Sequence, residues 1–171
     1  MKLYLASPLG FSTEHDGYRK RITKQLKALG HTVFDPWEQQ EVDQRIRDAL
    51  SHQDPELKQK ALADAAAYAG QINAQGVRSC DGLLAVLDGT ELDSGTVAEL
   101  GYAAGLGKPC YGLRTDIRDM GELPGLAVNL QVLYFIRASG GRLFRGIAEI
   151  KIPMIGYATI RTPDAIIQGM Q

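Results

Sequence analysis

Two carboxylates, Asp93 and Glu99, flank the short stretch Ser94-Gly95-Thr96-Val97-Ala98, a few residues past the apolar run Leu83 to Leu87. A carboxylate can attack an electrophilic carbon and carry the product as an ester, while a second carboxyl nearby gives or takes a proton. The small residues Ser94, Gly95 and Thr96 make a turn that a substrate can approach closely. Val97, Leu100, Ala103 and Ala104 recur at helical spacing, so Glu99 falls in the first turns of a helix and is held on a rigid element. Taken alone, Glu99 would equally complement the helix dipole, worth about 0.3–1 kcal/mol. Asp93 alone would equally be a turn residue or a helix cap.

The elements that must position these carboxylates follow from hydrophobic periodicity and from glycine and proline punctuation. Lys2 to Ala6 reads as a first strand, Ser7-Pro8-Leu9-Gly10 as a loop, and Thr13 to Leu29 as a helix stopped by Gly30. A second strand, His31 to Phe34, runs into Asp35-Pro36, which breaks regular structure. Helices are expected over Glu41 to Leu50 and Pro55 to about Arg78, the second with an apolar stripe through Ala61, Leu62, Ala65, Tyr68, Ala69 and Ile72. Gly82 to Leu87 is the third strand, Gly95 to Leu106 a helix and Pro109 to Leu113 the fourth strand. A charged connection containing Gly121 and Pro124 leads to a fifth strand over Val128 to Ile136 and a final helix over Leu143 to Ile150. The alternation predicts a single-domain α/β protein with a doubly wound, flavodoxin-like, five-stranded parallel sheet flanked by helices. Such sheets bind ligands beyond the carboxyl ends of their strands, where Asp93 is expected. Beyond Pro153, the tail with Ile155, Ile160, Ile166 and Ile167 is expected to cover this chain or to pack on another subunit.

Composition narrows the function classes. A chain of 171 residues with 44% hydrophobic residues can build one substantial core. Nineteen basic against 20 acidic residues give a net charge of -1, no footprint for a nucleic-acid polymer or an anionic membrane. Cys80 and Cys110 stand in no redox or zinc spacing, and His15, His31 and His52 have no metal-ligand spacing, so no metal is expected. Gly105 to Gly107 ends a helix instead of opening one, which argues against a phosphate-binding fingerprint and a nucleotide cofactor. The chain starts in an apolar strand and has no apolar run of membrane-spanning length, so a cytoplasmic location is expected.

The stretch from Asp93 through Glu99-Leu100-Gly101-Tyr102-Ala103, with Gly107-Lys108-Pro109, resembles the signature of the nucleoside 2-deoxyribosyltransferases. The resemblance extends to Tyr4-Leu5-Ala6, Asp35-Pro36-Trp37 and Asn129-Leu130, and covers most of residues 1 to 137. It implies an enzyme that moves 2-deoxyribose between purine and pyrimidine bases, with deoxynucleosides and free nucleobases as partners, no cofactor, and a homo-oligomer built of dimers up to a hexamer. Cleavage of the glycosidic bond develops oxocarbenium character that a carboxylate can trap covalently.

In the context of the full motif, Glu99 is the expected nucleophile and Asp93 the group that supplies a proton to the leaving base. Tyr4 is expected to support Glu99 through its hydroxyl, or to serve as core. Asn73 stands where some members of the family place an aspartate; an amide can hydrogen-bond the base or Glu99 but cannot be an acid, which shifts proton handling to Asp93. Ser7, Pro8 and Phe11 are expected to shape the base pocket, with Ser94 and Gly95 lining the substrate turn. Asp88 is either a binding residue or a turn former. Asn129 is implied by the resemblance to reach a neighbouring subunit's site, with a turn asparagine as the alternative. Trp37 is expected mainly to pack a loop, and Asp81 to be structural. Two other functions remain open: an N-hydrolase of nucleoside 5′-monophosphates, and a non-catalytic nucleotide-binding domain.

Overall fold

The computed structural model describes residues 1–154 of the chain. Strand β1 (Lys2–Ala6) alternates, sending Leu3 and Leu5 to one face and Tyr4 and Ala6 to the other. Strands β2 (Thr32–Phe34), β3 (Gly82–Val86), β4 (Cys110–Leu113) and β5 (Leu143–Phe144) join it in a parallel sheet of order β2-β1-β3-β4-β5. Strands β1, β3 and β4 are buried almost throughout, which explains their continuous apolar character.

Both faces are covered, as expected. Helix α1 (Asp16–Ala28) packs Ile22 and Leu26 against Leu3, Leu5, Leu84 and Val86. On the other face, α3 (Pro55–Ser79), α4 (Ser94–Gly105) and α5 (Leu130–Ala138) pack Val77, Leu100, Ala103, Val132 and Ile136 against Tyr4, Leu83 and Ala85. Helix α2 (Gln40–Ser51) packs on α3. Among the described residues, no helix is long and apolar enough to cross a membrane.

The last third differs from expectation. Val128 to Ile136, expected as the fifth strand, instead holds the N-cap Asn129 and most of α5 (Leu130–Ala138), and the expected helix over Leu143 to Ile150 is instead β5 followed by a 3-10 turn at Ile147–Glu149. The segment is apolar at nearly every position, so periodicity does not separate a buried strand from a buried helix. The side chain of Asn129 settles the local structure by accepting the N–H groups of Gln131 and Val132 at 2.9 and 3.2 Å, an N-cap. Burial of Val132, Leu133 and Ile136 then follows helical spacing. Ile155, Ile160, Ile166 and Ile167 lie outside the described residues.

The chain turns to opposite sides of β1 when it forms β2 and then β3, so the loops leaving β1 and β3 part and open a crevice at the carboxyl edge. Two side chains tie the loops after β3 and β4 together beside it. The fully buried Arg114 donates from Nη1 to the carbonyls of Leu87 (2.5 Å) and Gly89 (3.1 Å), and from Nη2 to that of Arg118 (2.8 Å). Asp88 accepts from the backbone N–H groups of Thr115 and Asp116 at 2.5 and 2.8 Å, and from the Tyr18 hydroxyl at 2.9 Å. Replacing Arg114 by Leu removes all three side-chain hydrogen bonds; the expected cost is about 2 kcal/mol, a drop in Tm of roughly 6 °C. Thermal unfolding measures it, and an unchanged Tm would show that the carbonyls find other donors.

Candidate active site

Glu99 sits one turn into α4, so its backbone is fixed by the helix, and its half-buried side chain lines a cavity of about 440 Å³ at the crevice. That volume suits a small organic ligand. Of the residues expected from the sequence, Ser7, Phe11, Asn73, Asp93, Ser94, Gly95 and Glu99 come together here.

Tyr4 lies behind the cavity wall, fully buried in β1, and its hydroxyl donates to Glu99 Oε1 at 2.6 Å. Burial, followed by the adjacent Glu99 charge, holds the phenol far above its usual range, so it remains the donor. The ring stacks on Phe34 with centroids 5.4 Å apart. Helix α3 approaches this stack at Gly76, where an added Cβ would lie 2.6 Å from Phe34 and 2.9 Å from Tyr4. A glycine is therefore what lets the helix press the two rings into place.

Opposing effects set the acidity of Glu99. Burial pushes its carboxyl above the ordinary value; the Tyr4 hydrogen bond pulls it down, the nearby Asp93 charge pushes it up, and the Asn73 amide pulls it down. The net displacement is upward. Asn73 thus acts on the nucleophile candidate in the same sense as Tyr4.

Asp93 is the N-cap of α4: its Oδ2 accepts the Thr96 N–H at 2.7 Å and the Thr96 hydroxyl at 2.8 Å. The capping role and the cavity-facing role coexist, because among the described residues Oδ1 has no hydrogen bond. Ser94 and Gly95 are the first two helical residues, and N–H groups at those positions have no acceptor within the helix.

The apolar wall comes from turns and from α2. Ser7 caps the 3-10 turn Pro8–Phe11 by accepting the Leu9 N–H at 3.1 Å. Buried Asp35 caps the next turn, Pro36–Glu38, through the Trp37 N–H at 3.0 Å and is bridged to Arg19 at 3.1 Å. Burial raises the Asp35 carboxyl, against the Trp37 and Arg19 contacts. Trp37 packs edge-on to Phe11, donates to the Ser7 carbonyl at 2.7 Å, and lies directly on Gly10, where a Cβ would stand 2.0 Å from the indole. The expectation that Trp37 packs a loop holds, and the ring lines the cavity as well.

Besides Tyr4 behind the wall, the candidates Pro8, Asp88 and Asn129 do not line this cavity. Asp88 is occupied by the loop after β4, which is the turn-forming alternative. Asn129 caps α5 and donates its amide to Glu122. Asp81, at the amino end of β3, accepts the Lys2 N–H at 2.7 Å, the structural role expected. Val42, Asp43 and Ile46 of α2 and Ala69 of α3 are lining residues that sequence reasoning missed; the apolar pair Val42 and Ile46 at helical spacing just after Trp37 was the available signal. Among the described residues, no group of three or more His, Cys, Asp and Glu side chains is placed to hold a metal ion.

Two outcomes follow from the Glu99 environment. The Tyr4→Phe protein loses a contact that lowers the Glu99 pKa, so the carboxyl titrates at higher pH than in the wild type, as followed by carbon-13 NMR of the side-chain carboxyl; titration at the same or a lower pH would show that the hydroxyl does not stabilise the charge. Because folding raises the Glu99 pKa, its contribution to stability is fully present below the unfolded value and is lost as pH rises through the folded value. Glu99→Gln keeps the uncharged shape, so at pH 7 its Tm should exceed that of the wild type, with the gain fading as pH falls through the raised folded value of Glu99 and absent below about pH 4. Equal Tm values across that range would remove the cost assigned to the buried charge.

Residues 3–131 match the family described as Nucleoside 2-deoxyribosyltransferase. A comparison with curated protein sequences gives no match. Among solved structures, the chain is similar to a 2-deoxyribosyltransferase from the psychrotolerant bacterium Bacillus psychrosaccharolyticus, with 24% identity, a TM-score of 0.52, and 87% of this chain and 89% of that one covered. It is similar to a conserved protein from Enterococcus faecalis V583, with 24% identity, a TM-score of 0.57, and coverage of 87% and 93%. It is also similar to the CMP N-glycosidase BcmB from Clostridium botulinum, at 14% identity, a TM-score of 0.50, and coverage of 87% and 94%. At these identities the structures speak to the fold, whereas the family match spans most of the described chain and includes the whole carboxylate motif. The chain belongs to the nucleoside 2-deoxyribosyltransferase family.

Proposed function

We propose that this protein exchanges purine or pyrimidine bases on 2-deoxyribose by double displacement through Glu99. The observation that carries the reading is the Glu99 carboxylate, lining a nucleoside-sized cavity and fixed by the Tyr4 hydroxyl at 2.6 Å. In the first step a Glu99 oxygen attacks the anomeric carbon, the carbon–nitrogen bond to the base breaks, and the base leaves with a proton from Asp93. In the second, a nitrogen of an incoming base attacks the anomeric carbon of the ester, Glu99 leaves as carboxylate, and Asp93 regains the proton. Two inversions give net retention. With an amide at Asn73, the carboxyls left in the cavity for proton transfer are Asp93 and the more distant-in-sequence Asp43.

The lining favours an uncharged nucleoside over a 5′-monophosphate. Asp43, Asp93 and Glu99 face the cavity, and among the described residues no lysine, arginine or histidine does. A phosphate dianion would meet three carboxylates with only the first N–H groups of α4 to receive it. A cytoplasmic homo-oligomer belongs to the same reading. For Asn129 to serve a neighbouring subunit, its pairing with Glu122 and its cap on α5 would have to open.

Purified protein incubated with deoxyinosine or thymidine and a different free base should yield a new deoxynucleoside by chromatography, with the corresponding 5′-monophosphates turned over more slowly. Glu99→Ala should retain the fold and lose at least about a thousandfold in rate, and acid-quenched wild-type protein should carry a deoxyribosyl group on the Glu99 peptide. Free base without a new nucleoside would make the protein a hydrolase. Ligand binding without turnover would make it a binding domain.

A further inference from the structure

Asp93 is held by the protein at one oxygen only. Its Oδ2 accepts two hydrogen bonds, from the Thr96 N–H at 2.7 Å and from the Thr96 hydroxyl at 2.8 Å, and among the described residues Oδ1 accepts none. The backbone N–H alone would cap α4. The hydroxyl is an addition that capping does not require, since a threonine in a helix can turn its hydroxyl to a backbone carbonyl instead. Thr96 is only 2% exposed and its backbone is part of α4, so both donors are fixed. The Asp93 backbone is fixed as well, its carbonyl accepting the Val97 N–H at 3.0 Å. Gly95 keeps Oδ2 uncrowded, because a Cβ there would stand 3.3 Å from it.

Each carboxylate oxygen offers about two lone-pair sites. At Oδ2 both face donors, so a proton on Asp93 has Oδ1 left to occupy, the oxygen without a protein partner. The geometry points to Thr96 as the residue that orients Asp93 for proton transfer, reserving Oδ1 for the proton and stabilising at Oδ2 the carboxylate that remains when the proton leaves. This rests on the proposed function for the role of Asp93 as acid. In the first step the Oδ1 proton passes to a nitrogen of the departing base, and the electron pair of the carbon–nitrogen bond goes to that base. The negative charge that develops on Asp93 meets two donors already in place. In the second step the incoming base returns a proton to the same oxygen.

Deoxyguanosine and 7-methyl-2′-deoxyguanosine separate this positioning role from a structural one. Guanine leaves with a proton, whereas the methylated base is already cationic in the nucleoside and departs neutral without one. Thr96→Val keeps the N–H and therefore the cap. It should lower kcat/KM for base release from deoxyguanosine by about tenfold, the size of one hydrogen bond to a charged group, while the methylated substrate is spared that loss. Thr96→Ser, which keeps the hydroxyl, should retain the rate, and in an Asp93→Asn background Thr96→Val should add nothing. A second readout needs no turnover. Hydrogen bonding at one oxygen makes the two C–O bonds of a carboxylate unequal and widens the gap between its antisymmetric and symmetric infrared stretches. In protein labelled with carbon-13 aspartate at mildly alkaline pH, the Asp93 bands are isolated by subtracting the Asp93→Asn spectrum. Their gap should narrow in Thr96→Val and keep its width in Thr96→Ser.

Equal losses on both substrates, or no loss on either, make Thr96 a structural residue and overturn the inference while leaving base exchange intact. An infrared gap unchanged by Thr96→Val overturns it too, because the hydroxyl would then not hold Asp93. A gap that narrows in a protein that turns over neither substrate would keep Thr96 as the residue that orients Asp93 and refute the exchange reaction.

Discussion

A carboxylate that is to attack carbon must be ionised and partly stripped of water, two requirements that oppose each other. At Glu99, burial and the neighbouring Asp93 favour the neutral acid, and the hydroxyl of Tyr4 with the amide of Asn73 favours the charge. The balance depends on a phenol whose position the fold does not leave open. Tyr4 lies in the interior strand β1, its ring is stacked on Phe34, and Gly76 lets α3 close over both rings. The nucleophile candidate is consequently tuned from the core outward, through a residue that does not itself line the cavity.

The divergence of the chain on either side of β1 creates the space in which that tuning matters. Helix α4 brings both carboxylates on one rigid element, with Asp93 spending one oxygen on the helix start and keeping the other toward the cavity. The remaining wall is assembled from short turns. These have little hydrogen bonding of their own, and side chains supply it: Ser7 and Asp35 cap the turns, Arg19 anchors Asp35, and Trp37 ties one turn to the other through the Ser7 carbonyl. On the far side of β3, Arg114 and Asp88 perform the same office for the loops that flank the site, which is why a buried arginine stands there paired chiefly with carbonyls. In an acid-rich cavity built this way, an anion would meet repulsion wherever it does not find a helix N-terminus.

Much of this architecture is legible in the order of residues alone. The alternation of apolar runs and helical stripes marks four of the five strands and the sheet type, because each run is bounded by glycine, proline or a capping residue. The carboxylates are legible because six residues bring both to the start of one helix, where local geometry fixes their relation. The exchange of strand and helix at the end of the chain is not legible. Leu130 to Ile136 is apolar on almost every side, and β5 is only two residues long, held by its pairing with β4 and not by a pattern of its own. Asp88 and Asn129 show the converse difficulty: both are residues equally able to bind a ligand or to satisfy backbone N–H groups, and nearby donors decide for the second role.

The sequence by itself determined the elements as far as β4, the parallel sheet and the local pairing of Asp93 with Glu99, since these rest on interactions within a few residues or on burial of continuous apolar strands. Only the tertiary structure decided what those carboxylates face. Tyr4 and Glu99 are far apart along the chain yet share a 2.6 Å hydrogen bond. Asp43 and Trp37 reach the same cavity because α2 packs on α3 and the turn at Asp35 is fixed by Arg19. Contacts of that kind carry no periodic signature, because they depend on how separate elements are stacked and not on the order of residues within any one of them.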